Sequence, residues 1–379
     1  MTIHKLDDII ELKYGKSLPK RKRIPGEIPV YGSGGIVGTH CEALVKGPGI
    51  IVGRKGSIGT VYYEERDFFP IDTVFYVAPK HEDLDLYYFS VLLEVLELSK
   101  LNSDSAVPGL NRNIALSQKV DVVPYLIQRK ISSILKGCRD SINNSNIRIR
   151  ILEDLAQNIY RQWFVKFSFP GCENLGFSES EDGRIPDCWE FKPLIECCDL
   201  IMGQSPKSEY YNKSGEGMPF HQGVSDFGFR YPSHNNFCTI SKRVALQGDI
   251  LFSVRAPVGR INVAHTDLII GRGLSAIRHK KGSQVFLFHQ LKHLFAEEDT
   301  IGGGSIYKSV TKNDMSKIKL LIPPTNIIEN FEEITSPMSK KIALETKKVQ
   351  TLETIFCLLK MKLISGEIDV SGRDIEVDE

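Results

Sequence analysis

The sequence predicts an α+β protein in which two similar globular domains are joined by two long helices that form an antiparallel coiled coil. Three observations predict this class. The chain repeats itself with an offset of about 200 residues, each copy ends in a long segment with heptad spacing, and each copy contains short apolar runs bounded by glycine and proline. Such a tandem duplication implies a pseudo-two-fold internal repeat.

The repeat extends through the globular part of each copy. Residues 49–59 (GIIVGRKGSIG) correspond to residues 249–259 (DILFSVRAPVG), with turn glycines and apolar positions retained. Polar positions differ, since Tyr31 corresponds to His221, Lys55 to Arg255 and Ser57 to Pro257. Two domains with one scaffold and different side chains should bind related but non-identical targets. The alternative is an old duplication without functional meaning.

The two amphipathic segments each follow a seam of alternating four- and three-residue steps. The first seam comprises Ile131, Leu135, Cys138, Ile142, Ser145, Ile149, Leu152, Ala156, Ile159 and Trp163, and the second comprises Phe331, Thr335, Met338, Ile342, Glu345, Val349, Leu352, Phe356, Leu359 and Leu363. Ser145 and Glu345 place a polar residue at equivalent points. Each helix should span about 40 residues, or ~60 Å. Pro337 is expected to kink or restart the second helix, with Ser336 as the N-cap of the restarted helix. The alternative to a coiled coil of the two helices is that each helix packs only on its own domain.

The connections favour an antiparallel pair over a parallel one. A linker rich in glycine, proline and charge separates the first helix from the second domain, so the second helix can approach the first from the opposite end. The predicted organisation is a first domain at residues 1–125, a first helix at 126–167, a linker at 168–190, a second domain at 191–325, a second helix at 326–365 and an acidic tail at 366–379.

Within each domain the apolar runs read as strands of a compact sheet with one helix packed on it. The helix is predicted from LYYFSVLLEVLELSK in the first domain and QVFLFHQLKHLF in the second. Each domain then closes with a polar loop, at residues 105–113 or 302–310, and a strand that ends at Pro124 or Pro323.

Composition bounds the class of protein. With 379 residues, 41% apolar and 25% charged, the chain is long enough for two domains with genuine cores. No run approaches 18 apolar residues, and the acidic amino terminus does not suit a signal peptide. The eight cysteines include no C-x-x-C pair, which suits a reducing compartment without a zinc site. A cytoplasmic location is therefore expected.

Cations, amides and hydroxyls collect on the glycine-rich loops, where they could contact DNA phosphates and base edges. The candidate DNA-binding residues are Lys16, Ser17, Lys20, Arg21, Lys22, Arg23, Tyr31, Arg54, Lys55, Ser57, Asn111, Arg112 and Asn113 in the first domain, and Ser205, His221, Gln222, Arg255, Arg260, Lys308, Ser309 and Lys312 in the second. The alternative for the charge run of residues 20–23 is a solvated surface. Because the net charge is only +1, a DNA-binding surface must be local or completed by a partner.

These features together resemble the specificity subunit of Type I restriction-modification enzymes. The resemblance rests on the double repeat, on the turns LKYGKSLP and LIMGQSPK, on YGSGG and GRKGSIG, and on LAQNIYRQWFVKFSFPG at the end of the first helix. It covers essentially the whole chain. It implies two target recognition domains that each read one half of a bipartite double-stranded DNA site, and helices that set the spacer and dock the modification subunits.

The resemblance also implies what other subunits supply. Two modification subunits would methylate adenine with S-adenosylmethionine, and restriction subunits would use ATP and magnesium to translocate and cut DNA. No cofactor, metal or membrane contact is expected for this chain. Half-sites about one helical turn, ~34 Å, apart would suit domains that enter the major groove.

Sequence motifs for catalysis are not found. The Gly-Lys-Ser of residues 15–17 has Ile10 where a P-loop needs its first glycine, and residues 322–325 (IPPT) lack the acidic or amide residue and the aromatic of an amino-methyltransferase motif. The sequence therefore predicts a non-catalytic subunit. The main alternative is a non-enzymatic coiled-coil adaptor with two protein-binding units, and a homodimeric transcription regulator is disfavoured by the internal duplication.

Overall fold

The computed structural model describes residues 2–101, 109–173, 175–180, 183–296, 300–301, 305–306 and 309–377. The chain divides into two compact units, one formed by Met1–Asn144 with Lys348–Glu379 and the other by Ser145–Lys347. We call them unit 1 and unit 2. Each contains one globular domain and a segment of both long helices.

Within its described residues, unit 1 contains nine strands and the helices that pack on them. The strands are β1 (Thr2–Lys5), β2 (Ile10–Tyr14), β3 (Ile28–Gly32), β4 (Gly35–His40), β5 (Gly49–Gly53), β6 (Val61–Glu64), β7 (Phe69–Pro70), β8 (Val74–Pro79) and β9 (Lys119–Val122). The helices are α1 (Leu6–Ile9), α2 (Leu86–Val95), α3 (Arg112–Leu116) and the first part of α4 (Tyr125–Tyr160).

Unit 2 repeats this order with additional short strands. Its strands are β10 (Phe177–Ser180), β11 (Gly183–Pro186), β12 (Glu190–Pro193), β13 (Cys198–Met202), β14 (Tyr211–Asn212), β15 (Met218–His221), β16 (Phe237–Cys238), β17 (Val244–Ala245), β18 (Ile250–Ser253), β19 (Ile261–Val263), β20 (Leu268–Ile270), β21 (Leu274–His279), β22 (Thr300–Ile301), β23 (Ser305–Ile306) and β24 (Lys319–Ile322). Its helices are α5 (Leu194–Cys197), α6 (Gln284–Leu294), α7 (Lys312–Ser316) and most of α8 (Thr325–Ile364), whose last residues belong to unit 1.

The sheets confirm the internal repeat. The main sheet has the order β2-β8-β5-β6 in unit 1 and β13-β21-β18-β19 in unit 2, and its neighbours are antiparallel in both. In the same way, β1 pairs with β9 and β12 with β24. A parallel pair, β3 with β7 or β15 with β20, builds the second sheet. The two domains therefore share one α+β scaffold, as predicted.

The central strand of each main sheet is buried on both faces, which explains its unbroken apolar sequence. In unit 2, Phe252 of β18 packs with Leu291 of α6, while the neighbouring Leu251 points to the other side and packs with Ile270 of β20. In unit 1, all five residues of β5 are buried. Strands held from both faces give the loops that follow them a rigid base, and those loops carry candidate contact residues.

The long helices pack against each other in antiparallel fashion, as predicted. The Cys138 sulfur lies 3.6 Å from the carbonyl oxygen of Leu352, and Arg148 lies 3.8 Å from Glu345. Further along α4, the ring centroid of Tyr160 lies 6.1 Å from that of Phe331. The contacted residues of α8 therefore have decreasing numbers as the residue number along α4 increases, which is the pattern of an antiparallel pair. Among the seam residues that are buried are Ile131, Leu135, Ile142, Ser145, Ile149, Ala156, Trp163, Phe331, Thr335, Ile342, Glu345, Val349, Phe356 and Leu363.

The expectation that Pro337 restarts the second helix is wrong. Helix α8 runs from Thr325 to Ile364 with Pro337 inside it. Ser336 does not cap a new helix, because its hydroxyl donates to the Glu332 carboxylate at 2.8 Å. Pro337 and Glu333, whose carbonyl loses its usual amide partner, are both exposed. Water can therefore solvate that carbonyl, which lowers the cost of proline within a helix.

The first helix ends near the predicted point. A π-helical turn, Arg161–Val165, follows α4, and Phe167 has a φ of 55°, a left-handed conformation that terminates the helix. The hairpin of β10 and β11 then forms part of the predicted linker. Among the described helices, none combines the length and apolar composition that a membrane-spanning segment needs.

Candidate nucleic-acid interface

In unit 1 the fold brings together two loops that are distant in sequence. Lys55, just after β5, forms an isolated β-bridge with Gly109, and the backbone N–H of Leu110 donates to the carbonyl of Arg54 at 2.9 Å. This pairing places the predicted residues Arg54 and Lys55 beside the segment that carries Asn111, Arg112 and Asn113. We call this surface the first paired loop.

An aromatic side chain that the sequence analysis did not select organises this surface. Tyr14, at the end of β2, is 52% exposed. The guanidinium carbons of Arg54 and Arg112 lie 5.1 and 5.9 Å from the centroid of its ring, distances suited to cation–π contact. Arg54 also donates to the carbonyl of Asp72 at 2.6 Å, and Arg112 lies 3.3 Å from a Glu11 carboxylate oxygen. Both guanidinium groups are therefore held in place.

Other residues of the first paired loop have local structural roles as well. The Asn111 side chain accepts hydrogen bonds from the backbone N–H groups of Asn113 and Ile114, so it is the N-cap of α3. Lys55, Ser57 and Asn113 are exposed. The signal that could have identified Tyr14 is its position, since an aromatic at the end of a strand and next to a glycine turn often faces solvent.

The cationic segment of residues 16–23 forms an exposed surface with one anchored residue. Lys20–Lys22 form a single 3₁₀ turn, and Lys16, Ser17, Lys20, Arg21 and Lys22 are exposed. Arg23 donates to the carbonyls of Leu18 and Val37, at 3.3 and 2.6 Å, and so ties the segment to the hairpin of β3 and β4. Five of these candidates are thus available to a ligand, whereas the Arg23 side chain is engaged with the protein's own backbone.

Two candidates lie in the core instead of on a loop surface. Tyr31 is buried, its hydroxyl donates to the Glu64 carboxylate at 2.9 Å, and burial together with that hydrogen bond raises its pKa. His221 is fully buried in unit 2. Burial therefore disfavours direct contact of these two side chains with DNA, because only 6% of Tyr31 and none of His221 is exposed.

His221 belongs to a histidine cluster that sequence spacing did not reveal. Its Nε2 lies 2.9 Å from Nδ1 of His234, and the ring of His234 stacks on that of His265 with centroids 4.4 Å apart. Asp226 approaches His221 at 3.6 Å. Burial lowers the pKa of all three histidines, to about 4 for His234. Within the described part of the chain, no group of His, Cys, Asp and Glu is arranged to hold a metal ion.

Unit 2 builds an equivalent surface, which we call the second paired loop. Arg255 forms an isolated β-bridge with Ser309, and the N–H of Val310 donates to the carbonyl of Val254 at 2.9 Å, as Leu110 does to Arg54 in unit 1. Arg255, Ser309 and Lys312 are exposed. Lys308 lies outside the described residues.

The two paired loops differ in chemistry at matching positions. Met202 stands where unit 1 has Tyr14, Val254 where it has Arg54, and Lys312 where it has Arg112. The arginine pair on an aromatic ring is thus particular to unit 1. Two remaining candidates flank the second surface: Gln222 is exposed, and Ser205 accepts a hydrogen bond from the N–H of Arg272 at 3.1 Å.

Arg260 lies on a separate concave surface of unit 2. It lines a cavity of about 360 Å³ with two further cations, Arg161 and Lys292, and with the aromatic rings of Phe229 and Phe288.

Both long helices expose apolar side chains on faces away from the seam. These are Ile147, Ile151 and Leu155 on α4, Leu344 on α8 in unit 2, and Ile355, Leu358 and Met361 on α8 in unit 1. Steps of three and four residues place each set of three on one helix face. Exposed apolar faces of this kind are typical of protein interfaces.

Comparisons with known proteins agree with these observations. The sequence matches the family described as Type I restriction modification DNA specificity domain over residues 1–153 and 186–354. It is 31% identical over 304 residues to the putative type I restriction enzyme MjaX specificity subunit of Methanocaldococcus jannaschii, covering 78% of this chain and 71% of that protein. It is 22% identical over 379 residues to the type I restriction enzyme HindI specificity subunit of Haemophilus influenzae, covering 80% and 82%.

A solved structure shows the same fold. The S subunit of the Type I restriction-modification system from M. genitalium aligns with a TM-score of 0.64 at 16% sequence identity, covering 96% of this chain and 95% of that one. The alignment spans both globular domains and both long helices of the chain. The predicted two-domain architecture therefore has a counterpart among known structures.

Proposed function

We propose, because the chain belongs to the Type I restriction-modification DNA specificity family, that its two globular domains each read one half of a bipartite DNA target. Residues 1–125 would form the first recognition domain and residues 191–325 the second. The long helices would set the spacer between the half-sites and dock the modification subunits. The chain itself would be non-catalytic.

The observation that carries this proposal is a shared scaffold with different side chains at matching loops. Both domains pair the loop after their central strand with the loop before a short helix. At that place unit 1 presents Arg54, Lys55 and Arg112, whereas unit 2 presents Arg255 and Lys312. Arginine and lysine can donate to guanine O6 and N7 or to phosphates. Because the two domains share a scaffold but present different hydrogen-bond donors at matching positions, we expect them to recognise two related but different half-sites.

The proposed partners supply the chemistry. Adenine methylation with S-adenosylmethionine would reside in two modification subunits, and ATP- and magnesium-dependent translocation and cleavage in restriction subunits. The exposed apolar faces of α4 and α8 support docking of other subunits, since exposed apolar faces of this kind are typical of protein interfaces. The net charge of +1 also favours shared phosphate contacts with a partner. We expect the assembly to act in the cytoplasm, on chromosomal DNA.

Exchange of one recognition domain tests the modular arrangement. Residues 1–125 are replaced by those of a relative with a different target, and methylated adenines are mapped in a host that carries the exchanged chain and its modification subunits. One half-site should change while the other half and the spacer stay the same. A change in both halves would contradict modular reading.

Insertion of one heptad into both long helices tests their role in the spacer. The same methylation map should then show a longer spacer with both half-site sequences unchanged. An altered half-site with constant spacing would exclude the helices as the element that sets distance. For the adaptor alternative, a mobility-shift assay with the chain, alone and with the modification subunits, should show no specific shift of the mapped duplex.

A further inference from the structure

The second domain contains a loop that the first domain lacks. Residues 28 and 49 are 21 positions apart, whereas their counterparts 218 and 249 are 31 apart, so the second domain has ten additional residues in this stretch. The first domain, described throughout this stretch, forms the tight hairpin of β3 and β4 instead. In unit 2 the additional residues carry Arg230, which is only 5% exposed.

Arg230 connects this loop to both long helices within unit 2. Its Nη1 donates to the Glu153 carboxylate of α4, and its Nη2 donates to the Ser339 hydroxyl of α8 at 2.9 Å. The guanidinium carbon also lies 3.9 Å from the ring centroid of Phe288 in α6. One side chain of the recognition domain thus contacts three helices, two of which form the seam.

The acceptor of this contact is a buried carboxylate. Glu153 is 1% exposed, and its second oxygen lies 3.4 Å from Nζ of Lys292. A buried ion pair contributes little net stability, but displacing one partner leaves an uncompensated charge, which is strongly unfavourable. The pair therefore penalises any movement of the loop relative to α4.

The backbone around Arg230 is fastened to the recognition domain. The N–H of Val263 in β19 donates to the Arg230 carbonyl at 2.9 Å, and the side-chain amide of Asn262 donates to the Gly228 carbonyl at 2.9 Å. The same loop begins directly after β15 and the exposed Gln222. The loop that follows the candidate DNA-binding residue Gln222 is thus hydrogen-bonded to the second domain and is also joined by Arg230 to α4 and α8.

In unit 1 the domain contacts α4 through a hydrogen bond from the Ser132 hydroxyl to the Asp85 carboxylate at 2.5 Å, and its ion pair with α8 is more exposed than the pair of Arg230 and Glu153. In that ion pair, Glu94 of α2 lies 3.0 Å from Lys360 of α8, and both side chains are partly exposed, at 29% and 19%. Solvent-exposed pairs of this kind contribute little and constrain geometry less than buried ones.

From this geometry we infer that Arg230 is a positioning residue for spacer-length selectivity, holding the second recognition domain in one orientation on α4 and α8. The inference rests on the proposed function. Arg230 would not read bases. Its removal would let the second domain tilt, so that half-sites one base pair closer or further apart are accepted.

The test compares the full chain with its Arg230→Met variant, each assembled with the modification subunits. Methionine keeps an apolar side chain over Phe288 but removes every hydrogen-bond donor. Binding is measured to duplexes that carry the mapped target with its natural spacer and with spacers one base pair shorter and longer. We expect the preference for the natural spacer to fall at least about tenfold, the factor that corresponds to one charge-assisted hydrogen bond. Half-site base preferences should not change.

Arg278→Met is the matched control. Arg278 lies 2.6 Å from Asp249, a carboxylate buried within the second domain, so the variant loses an ion pair to a buried carboxylate that does not involve the long helices. The Arg278 side chain is 41% exposed, whereas that of Arg230 is 4% exposed. Its spacer preference should equal that of the unaltered chain. Ser339→Ala removes only the bond to α8 and should lower the preference by a smaller factor, which keeps the inference testable if Arg230→Met fails to fold.

The outcomes separate this inference from the function on which it rests. An Arg230→Met complex that binds the target with an unchanged spacer preference would overturn the inference and leave the function intact. Equal loosening by Arg278→Met would also overturn it, because general destabilisation would then explain the effect. If the unaltered complex binds no duplex specifically at any spacing, the proposed function itself fails.

Discussion

Phe331 is a buried aromatic residue whose truncation should destabilise unit 2. It is fully buried at the start of the α8 seam, with its ring centroid 5.1 Å from that of Phe164 and 6.1 Å from those of Tyr160 and Trp163. Truncation of a buried phenylalanine to alanine costs about 3–5 kcal/mol, and the lost ring–ring contacts keep this site above the lower end of that range. We therefore expect Phe331→Ala to lower the free energy of unfolding of unit 2 by about 4 kcal/mol.

Calorimetry of the full chain measures this effect. For a domain of 150–250 residues, each kcal/mol lowers Tm by ~2–4 °C, so the transition of unit 2 should move by ~8–16 °C. Leu344→Ala is the matched control, since Leu344 lies on the same helix but is 64% exposed and should change stability by less than ~0.5 kcal/mol. If Phe331→Ala shifts Tm no more than the control does, the aromatic seam cannot be what stabilises this unit.

Four further outcomes are expected. Ser145→Ala should stabilise unit 2 by ~1 kcal/mol in denaturant unfolding, because the Ser145 hydroxyl is buried without a hydrogen-bond partner; lower stability would contradict this. Burial lowers the pKa of His234 to about 4 in the folded protein, whereas histidine in the unfolded chain has a pKa of ~6.5, so the unfolded state binds a proton first as the pH falls. The stability of the folded protein should therefore decrease between pH ~6.5 and pH 4, and an equal Tm at pH 7 and pH 5 would refute this prediction. Ile151→Asp, at a 60% exposed position, should leave Tm of the isolated chain unchanged but weaken binding of the modification subunits about tenfold in titration calorimetry, and unchanged binding would place their docking face elsewhere. Arg54→Met should alter recognition of the first half-site only, and a change in the second half-site would refute the assignment of Arg54 to the first domain's DNA contact. If Arg54 contacts a phosphate, the variant should also reduce the salt dependence of DNA binding by about one counterion.

The helices and the repeat were predictable because their signals are local and periodic. The alternation from Ile131 to Ile149 requires only that apolar residues share one helix face, and this face is buried in the structure. The antiparallel direction was predicted from the connections, because a linker and the whole second domain lie between the two helices. The predicted restart at Pro337 was wrong, because a proline in sequence shows the missing hydrogen-bond donor but does not show that the affected carbonyl is exposed to water; a kink there stays a prediction.

The candidate site was predictable only in part. Lys55 and Ser57 were correctly placed on an exposed loop, since glycines and polar residues mark turns. Tyr31 and His221 were selected for their polar groups, yet both are buried, because aromatic and imidazole side chains occur in cores when a partner satisfies them. Tyr14, in contrast, was overlooked on a strand whose alternation could have placed it on either face.

The sequence by itself determined that the protein has two copies of one α+β domain, two heptad helices and polar loops that differ between the copies. These features can be predicted from the spacing of apolar, polar and glycine residues, because that spacing determines secondary structure over a few positions of the chain. Only the tertiary structure decided which loops meet, as in the pairing of Lys55 with Gly109, and that Arg230 reaches Glu153 and Ser339 on the two long helices. Such contacts join residues that are far apart in sequence, and their formation depends on how packed elements fit, which no local pattern encodes.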